Sequence, residues 1–316
     1  MNRLRNIYDS KTLTVRLQQE PFQRVTLSFY RYVKIENPAA FRDNLYGTFS
    51  SLGVLGRIYI ANEGINAQIS VPENSFSAVK EYLNGHEKFS GVPLKIAVED
   101  NRFSFIKLKI KVRNKILADG LNDDSFDVTK IGRHLSAEEF NSAMENPDTI
   151  VVDMRNSYES EVGHFKGAVL PNQETFKETL PKVVEMLSEK KNNKILLYCT
   201  GGIRCEKASA YLKYVGFTDV NQLEGGIIQY AHRAREKNLE TKFIGKNFVF
   251  DDRLGERITN DIISHCHRCG KKADTHRNCA NVQCHELFIQ CEDCFREMHG
   301  CHSDECKMIF EARLAS

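Results

Sequence analysis

The chain reads as an α/β protein built on a parallel sheet, with an α+β domain before it and a small cysteine-rich segment after it. Three observations predict this. Apolar runs of strand length, Thr149-Ile-Val-Val-Asp153 and Lys194-Ile-Leu-Leu-Tyr198, alternate with helix-like stretches, as expected of a sheet buried on both faces. The earlier part of the chain, up to residue 116, follows a different order of elements. Of the ten cysteines, eight crowd between Cys266 and Cys306. At 316 residues the chain is long enough for two or three domains, each with its own core.

The chain begins with a polar stretch of no clear period. Val25 to Lys34 is then rich in β-branched and aromatic residues, and Pro38 to Leu52 reads as a helix. Gly56 to Ala61 and Ile65 to Ser70 form a strand pair around Asn62-Glu-Gly64. A second helix spans Glu73 to Leu83, and Leu94 to Lys115 supplies a fourth strand region. This β-α-β-β-α-β order predicts a ferredoxin-like (acylphosphatase-like) α+β domain over 1–116. Within it, Ile106 to Ile116 alternates, placing Lys107, Lys109, Lys111, Arg113 and Lys115 on one face. A row of cations suits a phosphate backbone. The alternative is a solvated face, or lysines guarding a sheet edge.

A linker over 117–129 carries glycine and acidic residues and leads into the central domain, 130–240. Ser136-Ala-Glu-Glu resembles a helix capping box, and Thr149 to Asp153 a buried strand. Strands and helices then alternate through Cys199 to the closing segment Gly216 to Gly226. The pivotal stretch is Tyr198-Cys-Thr-Gly-Gly-Ile-Arg-Cys-Glu-Lys. Cys199 falls where a strand gives way to a helix. Gly201 and Gly202 let the intervening loop curl and aim its N–H groups at the sulfur. Those donors, the helix N-terminus and Arg204 all favour negative charge, so Cys199 is expected to be a nucleophilic thiolate.

The net charge of +2 places any nucleic-acid affinity in a local patch rather than in the whole chain. No run approaches a membrane span, and the start lacks the apolar core of a signal peptide, so a cytoplasmic protein with no membrane partner is expected.

Asp153-x-Arg155, Gly163-His-x-x-Gly-Ala168, the Cys199-x4-Arg204 loop and Leu223-Glu-Gly-Gly226 together resemble a rhodanese domain. The resemblance implies that Cys199 is the persulfide-forming cysteine and that Thr200, Gly201, Gly202, Ile203 and Arg204 form its cradle. Asp153, Glu159 and His164 are read as structural. Related phosphatases have five residues between cysteine and arginine, where this chain has four; the smaller ring suits sulfur better than phosphate. Many rhodaneses have serine after the arginine, and Cys205 stands there instead. It is either a second redox thiol or a small residue in the first helical turn.

Over 241–316 a charged linker precedes Cys266, Cys269, Cys279, Cys284, Cys291, Cys294, Cys301 and Cys306, a four-cysteine pattern given twice, with the same outer gaps and different middle ones. Two four-sulfur zinc sites would use all eight thiolates. Sequential and interleaved pairing fit equally, and His265, His267, His276, His285, His299 or His302 could replace a cysteine. Disulfides are the alternative.

Nearly the whole chain resembles the tRNA uridine-34 hydroxylase family, through Asn62-Glu-Gly-Ile-Asn66, Tyr198 to Ser209 and Phe248 to Arg257. The resemblance implies oxygen-dependent formation of 5-hydroxyuridine at the wobble position. O2 would be the co-substrate, tRNA the partner through its anticodon loop, and no DNA partner is expected. The electron donor is one that no motif of the chain names. Two other readings stand beside it: a persulfide sulfurtransferase acting on tRNA or a small thiol, and a metal-stabilised RNA-binding adaptor without a reactive thiol.

Overall fold

The computed structural model describes residue 4 and residues 6–100, 103–121 and 125–315. The polar opening stretch contains a helix, α1 (Ser10–Gln18), whose first turn is capped by the Asp9 carboxylate accepting from Thr12 N–H at 2.9 Å. It left no period in the sequence because Leu17 is its sole buried residue.

The α+β domain follows as β1 (Arg24–Tyr32), α2 (Pro38–Ser51), β2 (Leu55–Ala61), β3 (Gly64–Pro72), α3 (Phe76–Gly85), β4 (Lys95–Ile96) and β5 (Leu108–Val112). The sheet order is β4-β1-β3-β2-β5. The fourth strand region expected from sequence is therefore two strands on opposite edges. Short β4 pairs antiparallel with β1, and basic β5 pairs in parallel with β2. The break falls at Glu99-Asp100, where the Asp100 carboxylate accepts the N–H and hydroxyl of Thr26 instead of continuing a ladder. Leu45 and Phe49 of α2 and Val79 and Leu83 of α3 bury one face of the sheet against Ile58, Ile65 and Ile69. The other face is left to Ser28, Tyr30, Arg57, Tyr59, Asn66 and Gln68, which is the alternation that a half-covered sheet requires.

The central domain runs β6 (Arg133–Leu135), α4 (Ala137–Ala143), β7 (Ile150–Asp153), α5 (Ser157–Glu161), β8 (Gly163–Phe165), α6 (Phe176–Met186), β9 (Lys194–Tyr198), α7 (Ile203–Tyr214), β10 (Asp219–Leu223) and α8 (Gly226–Lys237). Its sheet, β6-β10-β9-β7, is parallel throughout. Ile195, Leu196 and Leu197 of β9 are fully buried, as the apolar run predicts.

The last segment is grafted onto this domain. β11 (Phe243–Asn247) pairs with β8 on one side and with β12 (Glu256–Arg257) on the other. Beyond it lie the hairpin β13 (His276–Asn278) and β14 (Leu287–Ile289) and the helices α9 (Glu292–Met298) and α10 (Asp304–Ala315). Among the described residues no helix is long and apolar enough to cross a membrane.

The polar face of the first sheet lies on the loop after β9. Tyr30 donates to Glu206 of α7 at 3.1 Å. Lys207, 2% exposed, reaches Glu63 at 3.0 Å and Asp119 at 3.5 Å, tying α7 to the β2–β3 turn and to the linker.

Candidate active site

Cys199 stands at the C-terminal end of β9, 1% exposed, with its sulfur accepting the Gly202 N–H at 3.1 Å. Gly202 has φ +98°, and a β-carbon there would lie 2.8 Å from the Tyr30 hydroxyl, so both the backbone and the overlying domain require glycine. The loop is gripped from behind by the Leu223-Glu-Gly-Gly226 segment. Ile227 and Ile228 at the start of α8 donate to the carbonyls of Cys199 and Thr200 at 3.0 and 3.2 Å. Gly226, φ +66°, approaches so closely that a β-carbon would meet Cys199 O at 2.5 Å.

Burial opposes ionisation of Cys199. The Cys205 thiol, the Arg204 charge and the backbone N–H groups of Cys205 and Arg204 outweigh it, bringing the pKa down to about 6. Cys205 moves the other way: burial and the adjacent Cys199 anion push its thiol well above the ordinary range. Cys205 is thus a protonated donor to the thiolate, a role that neither sequence reading named. Arg204 lines the cavity but spends its hydrogen bonds on the scaffold. Its guanidinium is clasped by both Glu159 oxygens, one at 2.8 Å, and donates to Thr200 Oγ1 at 3.3 Å. It acts on the sulfur through space. Asp153 takes Arg155 in a two-pronged pair and accepts the Tyr198 hydroxyl at 2.7 Å, and His164 bonds Ser160 O at 2.9 Å, so all three polar positions serve the scaffold.

A thiol of this kind carries a pH signature. Alkylation of Cys199 by iodoacetamide, followed at that residue by mass spectrometry, is expected to rise through about pH 6 and level off above it. Cys205→Ala removes a donor to the anion and moves the midpoint upward. A midpoint near the ordinary thiol value of about 8.5 in the unaltered protein would contradict the arrangement.

The sulfur opens into a cavity of about 410 Å³ walled by three parts of the chain. Ile203 and Arg204 come from the cradle, Tyr30, Arg57 and Lys95 from the first sheet, and Phe250 from the segment after β11. The contributions from outside the central domain were missed from sequence. Phe250 lies within the Phe248 to Arg257 motif, but the motif did not reveal its place beside Cys199; nothing local marks Lys95, which only the docking of the first sheet brings there.

The basic row is shorter than its alternation predicts. Lys107, Lys109 and Lys111 stay on the polar face of the sheet, and Arg113 follows just past the end of β5 with its guanidinium 5.8 Å from the Tyr59 ring. Lys115 leaves the row, because the chain turns after β5 and its ammonium bonds Asp119 at 2.8 Å and Leu121 O at 2.7 Å. Lys109 pairs in register with Arg57 and Lys111 with Tyr59, and both β2 residues line the cavity. The row therefore continues the cavity wall outward. Lys109 titrates below its ordinary value, first because of Lys111, with burial, Lys107 and Arg57 adding to the effect, which marks a concentrated positive field.

Two groups in the last segment can hold a metal. Cys266, Cys269, Cys291 and Cys294 bring their sulfurs within 4.8 Å of one another, and so do the ligand atoms of Cys279, Cys284, His302 and Cys306. The pairs interleave along the chain. The Cys269 and Cys291 sulfurs are 3.7 Å apart, close to the edge of about 3.8 Å for a tetrahedron with bonds of about 2.3 Å. His302 takes the place expected of Cys301, which is fully buried beside Phe288, with its carbonyl accepting from Gln290 at 3.2 Å. All ten cysteines are unbridged.

A thiolate at the end of a central parallel strand, held by a glycine loop and a helix N-terminus, defines an enzyme of the rhodanese fold. The rhodanese-like domain model matches 136–233, the UPF0176 acylphosphatase like domain matches 24–116, and the rhodanase C-terminal model matches 244–307. The tRNA uridine(34) hydroxylase of Leptospira interrogans is 57% identical over 97% of this chain and 83% of its own. That of an Enterobacter species is 52% identical over 96% and 87%. The chain belongs to the tRNA uridine(34) hydroxylase family.

Proposed function

We propose that this protein converts uridine 34 of tRNA to 5-hydroxyuridine, with O2 as co-substrate and Cys199 as nucleophile. The observation that carries the reading is a buried thiolate facing a cavity of about 410 Å³ whose wall continues into a basic strand. A cavity of that size takes one base, and an anticodon loop offers unpaired bases without the cost of opening a duplex. Thiolate addition to C6 of the uracil makes C5 electron-rich. One oxygen atom then enters at C5, the other leaves as water with two electrons and two protons from a donor outside this chain, and loss of the C5 proton expels the thiolate from C6 and restores the C5–C6 double bond. The protein supplies position and a dry anion: the Gly202 N–H and the Cys205 thiol restrain the sulfur, and the cavity walls exclude water.

A sulfurtransferase would use the same thiolate, and an adaptor none at all. The cover over the cradle and its basic extension favour a polynucleotide over a small thiol acceptor. Zinc is the metal that suits both the four-cysteine set and the set of three cysteines and one histidine, in a structural role with no open position. Assaying the purified protein side by side for persulfide transfer and for 5-hydroxyuridine at position 34 separates the readings. Sulfur transfer without hydroxylation would sink this one.

The basic row has its own test. Lys109→Glu with Lys111→Glu is expected to weaken tRNA binding across sequences and to flatten its dependence on log salt by about one per lost phosphate contact. Alkylation of Cys199 should be unchanged. Unaltered tRNA binding would make the row a solvated edge and move the RNA surface to the cysteine-rich segment.

A further inference from the structure

Lys95 is the one residue of β4 whose side chain is buried, 7% exposed, and no hydrogen bond or ion pair to it is found among the described residues. Its stem lies against the cradle: a β-carbon on Gly201 would be 3.7 Å from Lys95 Cδ. Its ammonium sits 4.3 Å from the centre of the Tyr30 ring, whose hydroxyl is turned away to Glu206. An ammonium in this position, out of water and without a carboxylate, is costly unless something arrives to receive its hydrogen bonds. The field it feels is that of Cys199 and Glu206; burial lowers it to about 8, so it still carries its proton at neutral pH.

We propose that Lys95 is a catalytic residue supplied by the N-terminal domain, donating to the carbonyl oxygen of uracil that takes up negative charge when Cys199 attacks the ring. This rests on the reading of Cys199 as a nucleophile toward uridine. In the step, the thiolate pair forms the S–C6 bond. The C5–C6 π pair shifts to C4–C5, and the C4–O4 π pair moves onto O4, where the ammonium donates. No electrons leave the two reactants. Lysine suits the task because it only donates: it accepts the 4-oxo group of uracil and has nothing to offer the 4-amino group of cytosine. Arginine would bring a planar fork in place of a compact point charge, so Lys95→Arg is expected to retain only part of the activity.

The test uses the full-length protein and an anticodon stem-loop carrying 5-fluorouridine at position 34, which traps the adduct. Lys95→Met keeps the stem and removes the charge. It is expected to slow adduct formation at saturating RNA by about 10²–10³-fold, the loss seen when one oxyanion donor is removed. The half-saturating RNA concentration and the alkylation of Cys199 at pH 8 should stay within about threefold, a split that a merely structural residue would not give. In cells lacking their own copy, the variant should leave tRNA without 5-hydroxyuridine. Adduct formation at the unaltered rate, or a loss matched by slower alkylation, would overturn the proposal. If the unaltered protein traps no adduct, attack on the ring is the idea that fails. Lys95 is then judged in cells: hydroxylation persisting in Lys95→Met overturns its role, and loss of hydroxylation with normal alkylation upholds it.

Discussion

Cys199→Ser is expected to reduce tRNA hydroxylation to background, a loss of at least about a thousandfold, while the protein folds as before. The serine hydroxyl is not ionised at neutral pH, so the Gly202 N–H, the Arg204 charge and the helix N-terminus surround a neutral group. Stability should change little, within about 1 kcal/mol, because oxygen replaces sulfur without leaving a large void and can accept the same N–H. The measurement is mass spectrometry of position 34 in tRNA from cells carrying only the variant, paired with its thermal unfolding. Hydroxylation persisting in a folded Cys199→Ser protein would remove the thiolate from the mechanism.

Metal removal should have the other large effect. Elemental analysis is expected to find two equivalents of zinc per chain, one on Cys266, Cys269, Cys291 and Cys294 and one on Cys279, Cys284, His302 and Cys306. Structural zinc in small modules contributes about 10–16 kcal/mol, comparable with or above the whole stability of an ordinary domain at about 5–15 kcal/mol. Chelation should therefore unfold the last segment, seen as lost hydrogen-exchange protection over 264–306, while β1 to β3 stay protected. The damage should reach the active site. Cys266 and Cys294 share a core with Phe248, whose ring is 5.3 Å from that of Phe250, and Phe250 lines the cavity. Absence of metal together with oxidised thiols in this segment would favour disulfides instead.

Much of the central domain was legible because its signals are local. The apolar run ending at Tyr198, the paired glycines and the helix formers after Arg204 fix a strand, a turn and a helix within one short stretch. The same holds for the β2–β3 pair and for the capping box at Ser136, whose reciprocal hydrogen bonds with Glu139 are both present. What escaped depends on contacts between distant stretches. The alternation after Ile106 gave a strand but not its edge or its parallel pairing with β2, and it could not show that Lys115 turns away to Asp119. His302 was among the histidines that could replace a cysteine, but its choice over Cys301 depends on which of two neighbouring side chains before α10 faces the cluster, which cysteine spacing does not record. Lys95 was invisible for the same reason: its meaning comes from the sheet that carries it across to Cys199.

The buried Lys207 bridge bears on how such a molecule can change over evolutionary time. Two carboxylate partners among the described residues, Glu63 and Asp119, lie outside the segment that would ordinarily be cut out as the rhodanese module. Lifted from this chain, that module would carry an ammonium with neither counter-charge and a cradle without its Tyr30 and Lys95 cover. This domain is bound to its neighbours by charge as well as by peptide bonds. A duplication that copied the central domain alone would leave Lys207 buried without these charges, a cost that selection would have to offset elsewhere.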